Sequence, residues 1–347
     1  MPNNTRVSQL SYIWINLTSK CNNRCFYCYD AGHSVSEINT NTVIKILDLI
    51  SELKLKQLIL IGGEPTIHSN FLDILRLCSE KVKKPTIITN GFRFADELFC
   101  KDVCEIGVTG VLFSVLGPSA TIHDAGTKRQ GSFDQIVKGI ENLRHLIDID
   151  KIRTITTITK RNLINLKEII DLNISFGLKR TIFNLCTPSI LEKELDLCLN
   201  PTEYSAIIED LYLYSKKNNH FIEIGTNVPK CLFKKELIEN LISSGVIRFS
   251  PCQLYRSSGI QFLSDGSVTP CTHLYDEVLG NPIERGFSIS EFMDWLNYST
   301  PKDFRENMWR YPSEECKRCK EWGNCTGGCP LMWSKHNPTD FLQAILQ

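Results

Sequence analysis

Cys21-Asn22-Asn23-Arg24-Cys25-Phe26-Tyr27-Cys28 places three cysteines on one short loop, directly after the apolar, strand-like run of residues 12–17. Iron-sulfur cubanes take one thiolate for each iron, so three thiolates without a nearby fourth leave one iron open to a small-molecule ligand. An open iron indicates chemistry on that ligand rather than electron storage alone. Half of a zinc site, or three buried thiols, would give the same spacing.

A second motif, Gly62-Gly63-Glu64-Pro65, follows the next strand-like run at residues 58–61. Two glycines allow the backbone to approach a ligand closely, because they carry no Cβ atom. Glu64 offers a carboxylate that can bind an ammonium group through a charge-assisted hydrogen bond. Each motif therefore begins where a strand ends.

Together the two motifs resemble those of the radical S-adenosylmethionine (SAM) enzymes. The resemblance implies that Cys21, Cys25 and Cys28 hold a [4Fe-4S] cluster whose open iron binds the amino and carboxylate groups of SAM. It also implies that Tyr27 lies beside the adenine and that Glu64 binds the SAM ammonium. In that family an electron from the cluster splits SAM into methionine and a 5'-deoxyadenosyl radical.

Two further strand-end residues, Asn90 and Ser114, resemble positions at which family members touch SAM or its ribose. A turn residue and a strand-end hydroxyl are the structural alternatives for them. Many relatives have Asp two places after this Ser, whereas this chain has Leu116. We interpret His123 and Asp124, farther along, as groups that structure a loop rather than as catalysts.

Strand-like and helix-like segments alternate along the chain, which predicts an α/β fold with parallel strands. Six strand-helix units before about residue 220 suit the partial (β/α)6 barrel of the radical SAM family, in which the chemistry gathers at the C-terminal ends of the strands. We expect Ser69 to cap a helix that runs to about Lys81. Beyond the first two runs, we expect strands at residues 86–89, 111–116, 151–159 and 181–185.

The C-terminal third contains a second group of cysteines: Cys252, Cys271, Cys316, Cys319, Cys325 and Cys329. Their spacing resembles the SPASM extension, a small cysteine-rich module that carries auxiliary [4Fe-4S] clusters in radical SAM enzymes that modify peptides and proteins. We therefore expect a barrel at residues 1–225 and a SPASM domain at residues 226–347. A zinc knuckle built from the last four cysteines is the main alternative.

The SPASM pattern implies two ligand sets, and this chain departs from it. Cys316, Cys319 and Cys325 would share one cluster with a cysteine beyond Cys329, but no cysteine follows Cys329. That distal cluster would then have three thiolates, with His336 and Asp340 as candidates for the fourth position, or be absent. We therefore expect one or two auxiliary clusters.

The other set, Cys252, Cys271 and Cys329, needs a fourth ligand upstream, and Cys231 is the candidate that we name. The remaining cysteines lie in helical or connecting stretches, and we expect them to act as packing residues. They are Cys78, Cys100, Cys104 and Cys198.

Composition agrees with a large enzyme. The chain has 347 residues, of which 42% are hydrophobic, so it can form one large core and a smaller domain. Its formal charge of zero gives no indication of nucleic acid or an acidic membrane as a partner. No signal peptide or membrane-spanning run is apparent, so we expect a cytoplasmic protein. The odd count of 15 cysteines argues against a disulfide scaffold.

The SPASM resemblance favours a ribosomally made peptide as substrate, with side-chain crosslinking, oxidation or epimerisation as the outcome. Sulfatase maturation fits less well, because Thr272 stands where those enzymes have an Asp base. A dehydrogenase or epimerase acting on a small molecule in cofactor or antibiotic biosynthesis is the second hypothesis. A non-catalytic iron-sulfur electron carrier is the third.

Partners follow from the same hypothesis. Reductive cleavage of SAM implies an electron donor of flavodoxin or ferredoxin type. Because only twenty residues precede Cys21, we expect a peptide substrate to be recognised by a separate leader-binding protein or by the SPASM surface. Cys186, at the end of the sixth strand, is a candidate hydrogen donor for an epimerase, and a buried packing residue is the alternative.

Overall fold

The computed structural model describes residues 10–29, 36–187, 197–247, 252–256, 258–308, 311–334, 336–338 and 341. Asp340, a candidate cluster ligand from the sequence, lies outside these residues. Among the described residues, no helix has both the length and the apolar character needed to cross a membrane.

Nine strands are formed by short apolar runs of the described sequence, and most of their residues are buried. They are β1 (Tyr12–Asn16), β2 (Gln57–Ile61), β3 (Thr86–Thr89), β4 (Gly110–Ser114), β5 (Ile152–Ile158), β6 (Arg180–Leu185), β7 (Phe221–Ile224), β8 (Gly259–Phe262) and β9 (Val268–Thr269).

Twelve α-helices are described, and those between β1 and β7 lie in the connections between strands. They are α1 (Thr40–Ile50), α2 (Phe71–Lys81), α3 (Glu97–Ile106), α4 (Ala120–Thr127), α5 (Ser132–Arg144), α6 (Leu166–Ser175), α7 (Pro201–Lys217), α8 (Lys235–Ser243), α9 (Gln253–Arg256), α10 (Ile289–Tyr298), α11 (Thr300–Met308) and α12 (Glu314–Arg318).

The chain forms two compact units. The first comprises Met1–Ser114, Ser119–Ile152 and Gln253–Asn307. Its strands follow the order β4-β3-β2-β1-β8-β9, in which all neighbours are parallel except β8 and β9. Parallel neighbours need crossover connections, and the helices between β1 and β4 supply them. The second unit comprises Val115–Pro118, Arg153–Cys252 and Met308–Gln347, and contains the parallel strands β5, β6 and β7.

Side-chain alternation along β1 explains how the first sheet is packed. Ile13 and Ile15 are completely buried on one face, and α1 supplies buried residues at helical spacing, among them Val43 and Ile46. Trp14 and Asn16 lie on the opposite face. Asn16 is also buried, although it is polar. The face of β1 that carries Asn16 therefore ends in a buried polar side chain.

The predicted α/β fold with parallel strands is confirmed, and the strands expected from the sequence all form. The helix cap at Ser69 was predicted wrongly. Helix α2 begins at Phe71, so Asn70 rather than Ser69 is at the N-cap position, and it forms no side-chain cap. The Ser69 hydroxyl donates to Glu37 Oε1 at 2.7 Å. The two compact units do not test where one functional domain ends and the next begins. The domain boundary expected after residue 225 therefore stays a prediction.

Phe94 offers a test of the core of the first unit. Its ring is fully buried and lies 5.2 Å from the Phe99 ring and 5.4 Å from the Phe113 ring, between centroids. Phe94→Ala should lower the free energy of unfolding by about 3–5 kcal/mol through loss of burial and creation of a cavity. Leu98→Ala, at a side chain that is 70% exposed, should change it by less than about 0.5 kcal/mol in the same urea titration.

Candidate active site

The two motifs meet because β1 and β2 are neighbours in the sheet. Asn16, the last residue of β1, is paired with Ile61, the last residue of β2. The cysteine loop and the Gly62–Gly63 turn therefore leave the same edge of the sheet. This edge is formed by the C-terminal ends of parallel strands, where ligands of α/β proteins commonly bind.

Gly62 and Gly63 lie directly against the backbone that leads into Cys21. The Gly63 amide donates to Thr18 O at 2.7 Å, and the Glu64 amide donates to Lys20 O at 2.9 Å. A Cβ atom on Gly63 would lie 2.6 Å from Lys20 O, and one on Gly62 would clash with Thr18 O. These contacts show that the glycines lie against the backbone that leads into the cysteine loop, and their approach to a ligand stays a prediction.

Glu64 is buried and holds several parts of the site together. Its Oε1 accepts hydrogen bonds from Thr66 Oγ1 at 2.6 Å and Thr89 Oγ1 at 2.7 Å, and its Oε2 accepts from the Asn90 amide at 2.6 Å. The Thr66 amide also donates to Oε1. Burial raises the pKa of the Glu64 carboxyl, and these donors oppose that shift. All of its hydrogen-bond donors among the described residues are neutral.

Asn90 joins Glu64 to the cysteine loop. In addition to its backbone bond to Glu64, its Nδ2 donates to Asn22 Oδ1 at 2.6 Å, and its Oδ1 accepts from the Phe92 amide. The side chain thus connects the end of β3 with the residue that follows Cys21. Asn90 is therefore a turn residue that also reaches the cysteine loop, and its contact with SAM stays a prediction.

The cysteine loop rests on the end of α4. The Arg24 amide donates to Thr127 O at 2.9 Å, and the guanidinium of Arg129 donates to Asn22 O. Arg129 also lies over the Phe92 ring, 4.1 Å from its centroid. Sequence reasoning missed Arg129, because no spacing rule relates it to a loop about a hundred residues upstream.

Asp124 has the structuring role expected from the sequence. Its carboxylate accepts hydrogen bonds from the Gly131 amide at 2.7 Å, the Ser132 hydroxyl at 2.8 Å and the Phe133 amide at 2.8 Å. These donors lower its pKa against the effect of burial. Asp124 therefore fixes the start of α5 and, through α4, the support of the cysteine loop. His123 is buried, and burial lowers its pKa to about 4.

The thiols of the loop influence each other electrostatically. Burial, with smaller contributions from Cys28 and Glu64, raises the pKa of Cys21 to about 11 and that of Cys25 to about 12. Three thiolates beside a buried carboxylate repel each other, so they need bound positive charge to be ionised together. Iron ions supply such charge, and the donor set therefore fits an iron-sulfur cluster.

Other predicted cofactor contacts are placed nearby in the first unit. Tyr27 is partly exposed and meets the Phe26 ring edge-on at 5.3 Å between centroids, while Ser114 ends β4. The roles of these residues towards SAM stay predictions. His273, which sequence reasoning missed, lies 5.1 Å from the Tyr29 ring, and burial lowers its pKa to about 4.

Two buried amides on β1 and β8 were also missed. Asn16 is 1% exposed and Gln261 is not exposed, and neither side chain has a hydrogen-bond partner among the described residues. Buried amides normally form hydrogen bonds, because a buried donor or acceptor without a partner destabilises the fold. Both side chains therefore have unused capacity to bind a polar ligand. A polar residue within an apolar strand was the available signal in the sequence.

Cys271 lies in the first unit beside groups that favour its thiolate. Burial raises its pKa, and hydrogen bonds from the His273 backbone and from the side chains of Thr272 and Gln253 oppose that rise. Thr272 thus interacts with the sulfur of Cys271, and it offers no carboxylate base. These donors are consistent with a metal-bound thiolate.

In the second unit, Cys186 and Cys198 form a close pair of thiols. Their Sγ atoms lie 3.3 Å apart, and both residues are buried. The Tyr204 hydroxyl donates to Cys186 O. Cys198, like Cys78 and Cys100, is buried as expected for a packing residue. The hydrogen-donor role of Cys186 stays a prediction.

The second unit also contains a further set of cysteines: Cys231, Cys252, Cys316, Cys319, Cys325 and Cys329. Cys231 interacts electrostatically with Cys325, Cys316 and Cys319. Within the part of the chain that the structure describes, no three His, Cys, Asp or Glu side chains form a group that could hold a metal ion. A cubane distributes its ligands over four irons, so its thiolates lie farther apart than those around one ion.

Residues 15–172 match the family described as the Radical SAM superfamily. These residues form a radical SAM domain. Enzymes of this superfamily use a [4Fe-4S] cluster and SAM, so the predictions of an enzyme and of these cofactors are confirmed. The third hypothesis, a non-catalytic electron carrier, is set aside for the same reason.

Two curated relatives align with most of this radical SAM enzyme. A tungsten-containing aldehyde ferredoxin oxidoreductase cofactor-modifying protein of Pyrococcus furiosus is 25% identical, over 94% of this chain and 96% of its own. An AdoMet-dependent heme synthase of Methanosarcina barkeri is 27% identical, over 78% of this chain and 79% of its own.

The fold is shared with Streptococcus suis SuiB, whose crystal structure was solved with the precursor peptide SuiA. The two structures superpose with a TM-score of 0.74 at 16% identity, over 95% of this chain and 74% of SuiB. The likeness extends through the cysteine-rich C-terminal region, on which the SPASM prediction rests.

Glu64→Gln tests the role of the buried carboxylate. The amide nitrogen would face groups that are themselves donors, and the negative charge would be lost. If Glu64 binds the SAM ammonium, affinity for SAM should fall by about 10-fold or more, as expected for a charge-assisted hydrogen bond. Equilibrium dialysis of iron-loaded protein measures this, with the exposed Glu141→Gln as the control. Unchanged SAM affinity would contradict the assignment.

Proposed function

We propose that this radical SAM enzyme cleaves SAM reductively and abstracts hydrogen from a ribosomally synthesised peptide, with crosslinking, oxidation or epimerisation as the result. When bound, the cluster supplies the electron that splits SAM into methionine and the 5'-deoxyadenosyl radical. The protein's own residues bind SAM, orient it and place a substrate C–H bond beside it.

The observation that carries this proposal is the hydrogen-bonded chain from Glu64 through Asn90 to Asn22. It connects the residue assigned to the SAM ammonium with the loop assigned to the cluster. A ligand that bridges an iron and a carboxylate needs both groups held at a fixed separation, and this chain of hydrogen bonds provides that restraint. Cys21, Cys25 and Cys28 are the proposed cluster ligands.

The electrostatics of Glu64 support SAM as the ligand. A buried carboxylate that has only neutral donors is costly, and an ammonium group would supply the missing positive charge. Tyr27 is proposed to lie beside the adenine, and Ser114 to contact the ribose. The unpaired amides of Asn16 and Gln261 are proposed to bind polar groups of SAM or of the substrate.

A peptide substrate is supported by the fold shared with SuiB, which was crystallised with its precursor peptide. A stand-alone leader-binding protein and a flavodoxin- or ferredoxin-type donor are the proposed partners. Neither is needed for the chain to bind SAM, so both can be supplied separately in an assay.

A small molecule is the second candidate substrate, because the relatives that align with most of this chain have the names of a cofactor-modifying protein and a heme synthase. Such substrates carry carboxylates or other polar groups. Tetrapyrroles and metal-binding cofactors therefore belong in the same assay as candidate peptides.

The central test compares wild type with a Cys21/Cys25/Cys28→Ala triple variant after anaerobic iron loading. With a reductant, wild type should form 5'-deoxyadenosine from SAM and the triple variant should form none. Cys104→Ala, which removes a thiol on α3, is the matched control and should behave as wild type. Absence of 5'-deoxyadenosine from well-loaded wild type, with candidate peptides and tetrapyrroles supplied, would contradict the proposal.

Cys186 provides a test of epimerisation. If its thiol returns hydrogen to a substrate radical, the product formed in deuterium oxide should carry solvent deuterium, and Cys186→Ala should abolish that incorporation. Cys78→Ala removes a buried thiol on α2 and should leave incorporation unchanged. Mass spectrometry of the product measures both. Incorporation that persists in Cys186→Ala would exclude this role.

A further inference from the structure

We propose that Cys231, Cys316, Cys319 and Cys325 together bind one iron-sulfur cluster, so that Cys231 supplies the fourth thiolate that the C-terminal sequence lacks. The proposal rests on the proposed function only in treating the C-terminal cysteines as iron-sulfur ligands. It replaces the assignment of Cys231 to the set of Cys252, Cys271 and Cys329.

Three of these thiols lie on one compact turn segment. The Cys319 amide donates to Cys316 O at 3.3 Å, and the Cys325 amide donates to Glu321 O at 2.8 Å. Trp322 forms a backbone bridge with Cys325, and its ring lies 4.5 Å from the Tyr311 ring. Short loops of this kind, with closely spaced cysteines, are typical supports for iron-sulfur clusters.

Residues 227–232 are fastened to this segment at three points. The Cys329 amide donates to Asn227 O at 2.9 Å, and Lys230 Nζ lies 2.6 Å from Glu321 Oε2. Gly328 has a positive φ of 82°, and a Cβ atom there would lie 2.6 Å from Pro229 Cδ. Cys231 therefore directly follows residues that are held against the C-terminal cysteine segment.

The electrostatic environment of Cys231 agrees with this placement. Burial, together with the nearby Cys325, Cys316 and Cys319, raises its pKa to about 12.

His336, one of the earlier candidates for the fourth position, fits less well. His336 interacts electrostatically with Glu203 and Lys160, and its ring meets Phe341 at 5.5 Å between centroids. Those contacts place it among residues other than Cys316, Cys319 and Cys325. Cys231 is the residue whose described contacts point to these three thiols.

The test adds Cys231→Ala to a Cys316→Ala/Cys319→Ala background, in which the distal cluster has lost two ligands. In wild type, Cys231→Ala alone should remove between about one and four irons per chain, as the cubane degrades or is lost. In the background, it should remove no further iron or sulfide. Cys104→Ala is the matched control in both settings.

A further loss of iron and sulfide in the background would assign Cys231 to another cluster and overturn the proposal. Zinc in place of iron and sulfide at this site, after anaerobic loading, would also overturn it. 5'-Deoxyadenosine formation is measured on the same samples. If the proposed function is wrong, wild type will form no 5'-deoxyadenosine, whatever the iron counts of the variants are.

A second measurement needs no substitution. In iron-loaded wild type, iodoacetamide labelling followed by mass spectrometry should find Cys231 and Cys316 both protected. Both should become reactive together as a chelator removes iron. Labelling of Cys231 while Cys316 remains protected would contradict a shared cluster.

Discussion

The backbone contact between residues 62–64 and residues 18–20 is the constraint on which the site depends. Two hydrogen bonds, from the amides of Gly63 and Glu64, fasten the second motif to the chain that leads into Cys21. The contact is possible because neither glycine carries a Cβ atom. It fixes the separation between the cysteine loop and the Glu64 carboxylate, and every later step of the proposed chemistry requires that separation.

Charge balance is the second constraint. The site combines three thiols with a buried carboxylate whose hydrogen-bond donors are neutral. Such a group of acids is unfavourable unless bound cations accompany it, and iron ions and an ammonium group are the cations that radical SAM chemistry brings. Asn90 and Arg129 complete the arrangement by holding the cysteine loop to the ends of β3 and α4. The hydrogen bonds that order the site thus also prepare it for its cofactors.

The second unit follows the same design with different residues. A turn at residues 227–232 is fastened to the C-terminal cysteine segment by a backbone hydrogen bond, an ion pair and a close contact between Pro229 and Gly328. Glycine again allows the close approach. Cys231 is brought to cysteines that follow it by 85 or more residues, which makes a four-thiolate set from two distant segments. In this proposal, Cys231 replaces the cysteine that the SPASM pattern has after Cys329 and this chain lacks.

The sequence by itself determined the alternating α/β fold, the three-cysteine loop and the Gly62–Pro65 motif, because these signals are local: each depends on residues a few positions apart. It could not find the hydrogen bonds of Asn22 with Asn90 or of Asn22 with Arg129, and it placed the Ser69 hydroxyl at a helix cap rather than on Glu37. It also could not group Cys231 with Cys316. Tertiary structure decided these contacts, because the partners are far apart in the chain, and only the folded backbone brings them close enough for hydrogen bonds and charges to act.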